Sequence, residues 1–186
     1  MKPSIPALTI NIDNFYIRPL HKSDADSIVK YINDAQIHRN TTNIPYPYSE
    51  KDAKTFLTDS PKHWSAGSAY RFGIVINHEV VGCCSLEKIN QKDCNAELGY
   101  WLGRPFWGQG IMSRVTKAVV AFGFNQLKLH KIIVKHQETN KSSQRIIEKL
   151  GFMYEGTERE SHLRDGKWCN CRCYSLLESE FKFNSN

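Results

Sequence analysis

The sequence predicts a mixed α+β domain, with a central, mostly antiparallel sheet of about seven strands and about four flanking helices. Two observations carry this. Apolar runs of strand length, several bounded by turn residues, alternate with segments whose apolar residues recur at helical spacing. One strand, helix, strand series, residues 96–135, supplies a parallel crossover within an otherwise antiparallel pattern. The length of 186 residues suits one domain, 1–186, with its core over about 13–180 and a frayed tail, FKFNSN.

Residues 15–20 (FYIRPL) read as a first strand, and Ser23 with Asp26 as a capping box opening a helix that buries Ala25, Ile28, Val29 and Ile32. A Pro-rich loop, 43–48, follows, bordering a substrate cleft or simply packing its aromatics. Ser49 and Asp52 repeat the capping device and start a helix carrying Ala53, Phe56 and Leu57. Tyr70–Ile76 and 80–86 form a hairpin around Asn77, His78 and Glu79. Residues 96–102 (AELGYWL) are the next strand. Ile111, Val115, Ala118, Val119 and Phe122 then recur at helical spacing within 110–127, and 131–135 returns to strand. Residues 143–150 form one more helix, with Ile146, Ile147 and Leu150 inward and Gly151 at its C-terminal end. Segments 152–156 and 171–177 close the sheet.

Composition narrows the class. Hydrophobic residues make up 40% and charged residues 24%, as in ordinary soluble domains. No stretch has the length of a secretory signal or membrane span, which points to a cytoplasmic protein with no membrane partner. The net charge of +6 is spread without a run of five Lys or Arg, so no direct nucleic-acid binding is expected. The six cysteines lack the spacing of a disulfide framework. Cys169, Cys171 and Cys173 alternate as on one face of a strand with no Cys-x-x-Cys partner, which favours small buried residues over a metal site, so no metal is expected. Cys83 and Cys84 likewise read as buried strand residues, without the His and Asp or Asn context of a nucleophile.

The segment RPFWGQGIM, from Arg104 to Met112, lies where a strand ends and a helix begins. Glycine permits positive φ and close backbone approach, so successive N–H groups can converge on an anion, reinforced by the helix dipole. A phosphate cradle and a tight turn are the two readings of such a Gly-x-Gly.

Taken in order, FYIRPLHKSDA, VVGCCSLEKI, AELGYWLGRPFWGQGIMSRV, NKSSQRIIEKLGFMYEGT and HLRDGKWCNCRCYSLL resemble the GNAT N-acetyltransferases. Within them the likeness is to the RimJ/RimL-like branch, which includes acetyltransferases of ribosomal-protein N-termini, and it covers nearly the whole chain. It implies a sheet splayed between the fourth and fifth of the strands just described, with acetyl-coenzyme A in the gap. Trp107, Gly108, Gln109, Gly110, Ile111 and Met112 would then cradle the pyrophosphate. The backbone of Tyr100, Trp101 and Leu102 would pair with the pantetheine arm, a backbone N–H near Tyr100 or Trp101 would stabilise the oxyanion, and Asn140 would contact the cofactor. Pro105 departs from the Gln or Arg with which many members begin the cradle. Ile147 stands where many members carry a tyrosine acid, so that acid has no equivalent here.

Acetyl transfer to an amine needs a proton acceptor and, for the leaving thiolate, a proton source. The resemblance places His162 where some branch members carry a glutamate base, against the alternative of a solvent-facing loop histidine. Glu97 either takes the proton through water or accepts a structural hydrogen bond. Ser143 maps to the branch's thiolate acid, against a role as a cap or first-turn residue, and Tyr154 is a reserve acid. The expected reaction is direct transfer from acetyl-coenzyme A to a primary amine, either a protein N-terminus or a small molecule such as a polyamine, amino acid or aminoglycoside. A catalytically silent acyl-coenzyme A sensor is the competing class. Both a monomer and a homodimer fit the sequence.

Overall fold

Hydrogen bonding organises the strands into one eight-stranded sheet in the computed structural model, which describes residues 8–182. In chain order the elements are β1 (Ile10–Ile12), β2 (Phe15–Pro19), α1 (Ala25–Ile32), α2 (Ala35–Asn40), α3 (Glu50–Ala66), β3 (Tyr70–Ile76), β4 (Glu79–Asn90) and β5 (Asn95–Leu102). Then come α4 (Ile111–Asn125), β6 (Lys131–Gln137), α5 (Lys141–Lys149), β7 (Met153–Arg164) and β8 (Lys167–Leu177). The strand order is β1-β2-β3-β4-β5-β6-β8-β7, and among the described residues β5–β6 is the one parallel pair.

Two cores lie against the sheet. One, around Phe72, Leu86, Val115, Val119 and Ile132, packs α4; the other, around Ile28, Leu57, Val80 and Trp101, packs α1 and α3. Trp64, Tyr70, Phe72 and Phe122 meet edge to face or tilted at centroid distances of 4.8 to 6.4 Å and close one end of the first core.

The chain differs from its sequence reading in particular places. β1 and α2 are additional elements, each too short to show a period: three residues and six, with only Ile37 buried in α2. Asp34 caps α2 by accepting from the Gln36 and Ile37 amides. The first capping carboxylate is Asp24 rather than Asp26, because Arg18 grips Asp24 at 2.8 Å through both oxygens and the His21 amide donates to it. β7 and β8 run much further than 152–156 and 171–177, joined through Asp165 and Gly166, both at positive φ as a tight hairpin turn requires. In the tail, Phe181 is buried against Phe124, while residues 183–186 lie outside the described residues.

β5 and β6 pair from Asn95↔Lys131 to Leu98↔Val134 and then part. Beyond that point Tyr100 and Leu102 stay paired to β4, and Gln137 stays paired to β8. The sheet therefore opens into a wedge whose wall is the free edge of residues 99–102.

Candidate active site

The wedge continues into a cleft of about 290 Å³. Its floor is Tyr100, Trp101 and Leu102. Trp107, Gly108, Gly110, Ile111 and Met112 form one wall, Asn140 and Ser143 of α5 another, and Ile37 and Thr41 the third. The loop after β5 is fixed at both ends: the Gly103 amide donates to the Val81 carbonyl, and the Trp107 indole N–H donates to the Leu102 carbonyl at 2.7 Å.

Gly108 and Gly110 sit at φ +75° and +69°, the left-handed region that disfavours any side chain. Gly110 is the N-cap of α4 and has no side chain with which to cap it, and the first amide to bond back is that of Arg114. The Ile111, Met112 and Ser113 amides thus lack helical acceptors at the cleft wall, an arrangement suited to an anion. α5 differs, since Asn140 caps it by accepting from the Ser143 amide at 3.1 Å. Gln109 lies outside the cleft lining, with its side chain bonded to the Pro105 carbonyl.

Across the wedge, the Tyr100 hydroxyl and Ser143 Oγ are 2.7 Å apart. Burial pushes the Tyr100 phenol above its usual value, so it holds its proton through the neutral range. Ser143 is 7% exposed. Ile147, one turn further along α5, is fully buried in the first core.

His162 is half-buried on β7 rather than in a loop. A bulge between Glu158 and His162 re-aims the strand there. Its Nδ1 stands 3.6 Å from Cys171 Sγ, and its Nε2 is buried without a partner among the described residues. Burial, then the neighbouring Arg164, lower its pKa and keep the ring neutral. His162 is not among the residues lining the cleft. Glu97 also lies outside that lining and accepts from Lys88 Nζ at 2.7 Å. Tyr154 is exposed and bonded to Thr157. Residues 43–48 contribute no lining, and Tyr48 is buried in the second core.

Burial raises the Cys83 thiol to about 12, and Cys84 also lies well above its usual value. Of the alternating trio, Cys171 is buried while Cys169 and Cys173 are half-buried, and all are free thiols. Among the described residues no helix is long and apolar enough to cross a membrane.

Sequence reasoning treated Tyr100 only as backbone and missed its hydroxyl as Ser143's partner. Alternation along β5 does place Tyr100 on the face opposite Glu97 and Trp101, which was the available signal. The contribution of α2 had no comparable signal, because one buried residue sets no period.

Comparison with known proteins agrees with this geometry. Residues 14–153 match the model of the acetyltransferase (GNAT) domain. An uncharacterized N-acetyltransferase p20 of Bacillus licheniformis is 29% identical over 93% of this chain and 98% of its own. Spermidine N(1)-acetyltransferase of Escherichia coli K12 is 28% identical over 89% of this chain and 87% of its own. Among solved structures, a ribosomal L7/L12 α-N-protein acetyltransferase in complex with coenzyme A shares the fold with a TM-score of 0.86 at 20% identity, covering 91% of this chain and 98% of that one.

Proposed function

The chain belongs to the GNAT acetyltransferase family, and from that premise we propose that it acetylates the α-amine of a protein N-terminus, using acetyl-coenzyme A, in the wedge between β5 and β6. The donor supplies a thioester carbonyl and a good leaving thiolate. The amides around Gly108 to Met112 hold the pyrophosphate, and the free edge of Tyr100, Trp101 and Leu102 receives the pantetheine arm. An N–H of that edge, near Tyr100 or Trp101, faces the carbonyl oxygen.

In one concerted shift Ser143 delivers a proton to the departing sulfur, the Tyr100 hydroxyl bonded to it resupplies Ser143, and Tyr100 takes its proton back from solvent, which receives the amine's proton by way of His162. This pair is the observation that carries the reading: it replaces the tyrosine missing at Ile147 with one reaching over from the facing strand. His162, neutral and with Nε2 unpartnered among the described residues, stands on β7 outside the cleft lining and takes the proton that the amine sheds through intervening water. Glu97, tied to Lys88, supports the strand.

A small polycationic amine is the second reading, favoured by the spermidine acetyltransferase relative. The cleft itself carries no carboxylate among its lining residues, which favours a singly charged amine. A competition experiment separates the two. Peptides with free N-termini, the same peptides blocked, spermidine, amino acids and aminoglycosides are mixed with acetyl-coenzyme A and products are read by mass. Acetylation of the free peptides alone is expected. Acetylated spermidine with untouched peptides would overturn the proposal in favour of the second reading.

A further inference from the structure

We propose that Gln137, on the wedge side of β6, selects the acceptor: its side-chain amide donates to the carbonyl oxygen of the N-terminal residue whose α-amine is acetylated. Such a contact favours an aminoacyl group over a plain alkylamine, which has no carbonyl to offer. The inference rests on the peptide-acceptor reading above and names the residue that enforces it.

Placement comes first. In the parallel pair Glu97 lies beside Ile133, and four residues further along each strand stand Trp101 and Gln137. Alternation therefore sets these two on the same face, on opposite walls of the wedge. That face is the one α1 and α3 cover, since Trp101 belongs to their core. The strand N–H assigned to the thioester carbonyl lies on the Trp101 wall, so an amine attacking there arrives between the two walls. The carbonyl of the same residue hangs from the adjacent carbon and is left to meet β6.

The second observation is an unmet donor. Gln137 is 6% exposed, and its Nε2 is buried with no partner among the described residues. Buried polar groups are nearly always paired, and a donor left without an acceptor costs stability. The main chain is not free to shift and supply one. The Gln137 carbonyl accepts from the Asn140 amide at 2.8 Å and from His136 Nδ1 at 2.7 Å, and the residue stays paired to Cys171 of β8. Gln137 stands behind the residues that line the cleft, and its amide meets the acceptor by rotation about the side-chain bonds.

The third observation is a complementary pair. Gln137 lies beside Cys171, Cys171 Sγ is 3.6 Å from His162 Nδ1, and His162 pairs with Cys169, so all share one face. β6 and β7 lie on either side of β8, which sets Gln137 and His162 two strand spacings apart, roughly 10 Å. Gln137 offers a donor and His162, through Nε2, an acceptor, and both are unmet among the described residues. An N-terminal residue carries the complement: a carbonyl oxygen that accepts and an amine that sheds a proton. A polyamine carries only the second.

The test compares initial rates for a peptide with a free N-terminus and for the same peptide with its first amide replaced by an (E)-alkene. The alkene keeps the shape and the amine and removes the carbonyl. Both are given to the native protein and to Gln137→Leu, which fills a similar volume without a donor. A hydrogen bond from a buried donor corresponds to about a 5- to 100-fold change. Gln137→Leu should lower kcat/KM for the peptide by about that factor and change the alkene by less than about twofold; the cycle cancels the difference in basicity between the two amines. Calorimetric affinity for acetyl-coenzyme A should stay within about twofold of native. Because leucine removes an unmet donor, the urea midpoint should equal or exceed the native one. An equal loss for both acceptors, a loss for neither, or a midpoint below native would overturn the role. Failure of the parent reading looks different. The native protein then leaves the peptide unacetylated, whereas if Gln137 alone is misassigned, the native protein still acetylates it and Gln137→Leu does not discriminate between peptide and alkene any differently.

Discussion

Removing the phenolic oxygen in Tyr100→Phe leaves Ser143 Oγ, 7% exposed, without the partner it has at 2.7 Å. A net hydrogen bond is worth about 0.5–1.5 kcal/mol, and stranding a buried hydroxyl brings the expected loss of stability to about 1–2 kcal/mol. The larger effect should be catalytic. A positioned general acid contributes about 10²- to 10⁴-fold, and a thiolate, whose conjugate acid has a pKa of about 8.5, needs the least help. Both Tyr100→Phe and Ser143→Ala should therefore lower kcat by about 100-fold, with KM for acetyl-coenzyme A changed by no more than about threefold. Because the two hydroxyls act as one unit, the double variant should fall no further than the worse single variant. Initial rates of acetylated peptide, read by mass across acetyl-coenzyme A concentrations, supply these numbers. A single variant within about threefold of native kcat, or a double variant at the product of the two losses, would refute the relay.

Three further outcomes follow from the geometry. In Gly110→Ala the new Cβ meets nothing within 4 Å, so the cost is that of holding alanine at φ +69°, about 1–2 kcal/mol; relaxation of the turn should weaken acetyl-coenzyme A by about tenfold in calorimetry. In Gly82→Ala the Cβ would stand 2.7 Å from the Trp101 carbonyl oxygen, so the wall of the wedge must shift, and urea unfolding should show a loss of about 1–3 kcal/mol. The third concerns pH. His136 is 4% exposed, and burial holds its folded-state pKa below the ordinary 6.5 despite its bond to the Gln137 carbonyl. The unfolded chain then binds more protons in this window, so stability is complete above about pH 6.5 and falls as pH drops toward the folded value. The slope is at most about 1.4 kcal/mol per pH unit for this group. Urea midpoints at pH 7.5 and 5.5 should differ less in His136→Gln than in the native protein.

Much of the fold around the candidate site was legible because its signals are local. Ser49 and Asp52 announce α3, the spacing of Ile111, Val115 and Val119 announces α4, and the strand, helix, strand order places the Gly108–Gly110 turn at a helix N-terminus. What was missed depends on distant partners. Ile10–Ile12 is a strand only because β2 is there to pair with it. β7 is an edge strand exposed along nearly all its length, so selection for a buried face left no alternation to read. The turn residues Asp165 and Gly166 were the one hairpin signal in that region. The meeting of Tyr100 with Ser143 is set by how far β5 and β6 diverge, a property of the assembled sheet.

The most direct measurement is a single turnover with acetyl-coenzyme A carrying an isotopically marked acetyl group and a peptide with a free N-terminus, following peptide and intact protein together by mass. The expected result is label on the peptide α-amine, stoichiometric free coenzyme A and no labelled protein at any time. Label appearing first on the protein, or donor bound but never consumed, would contradict direct transfer in the wedge between β5 and β6.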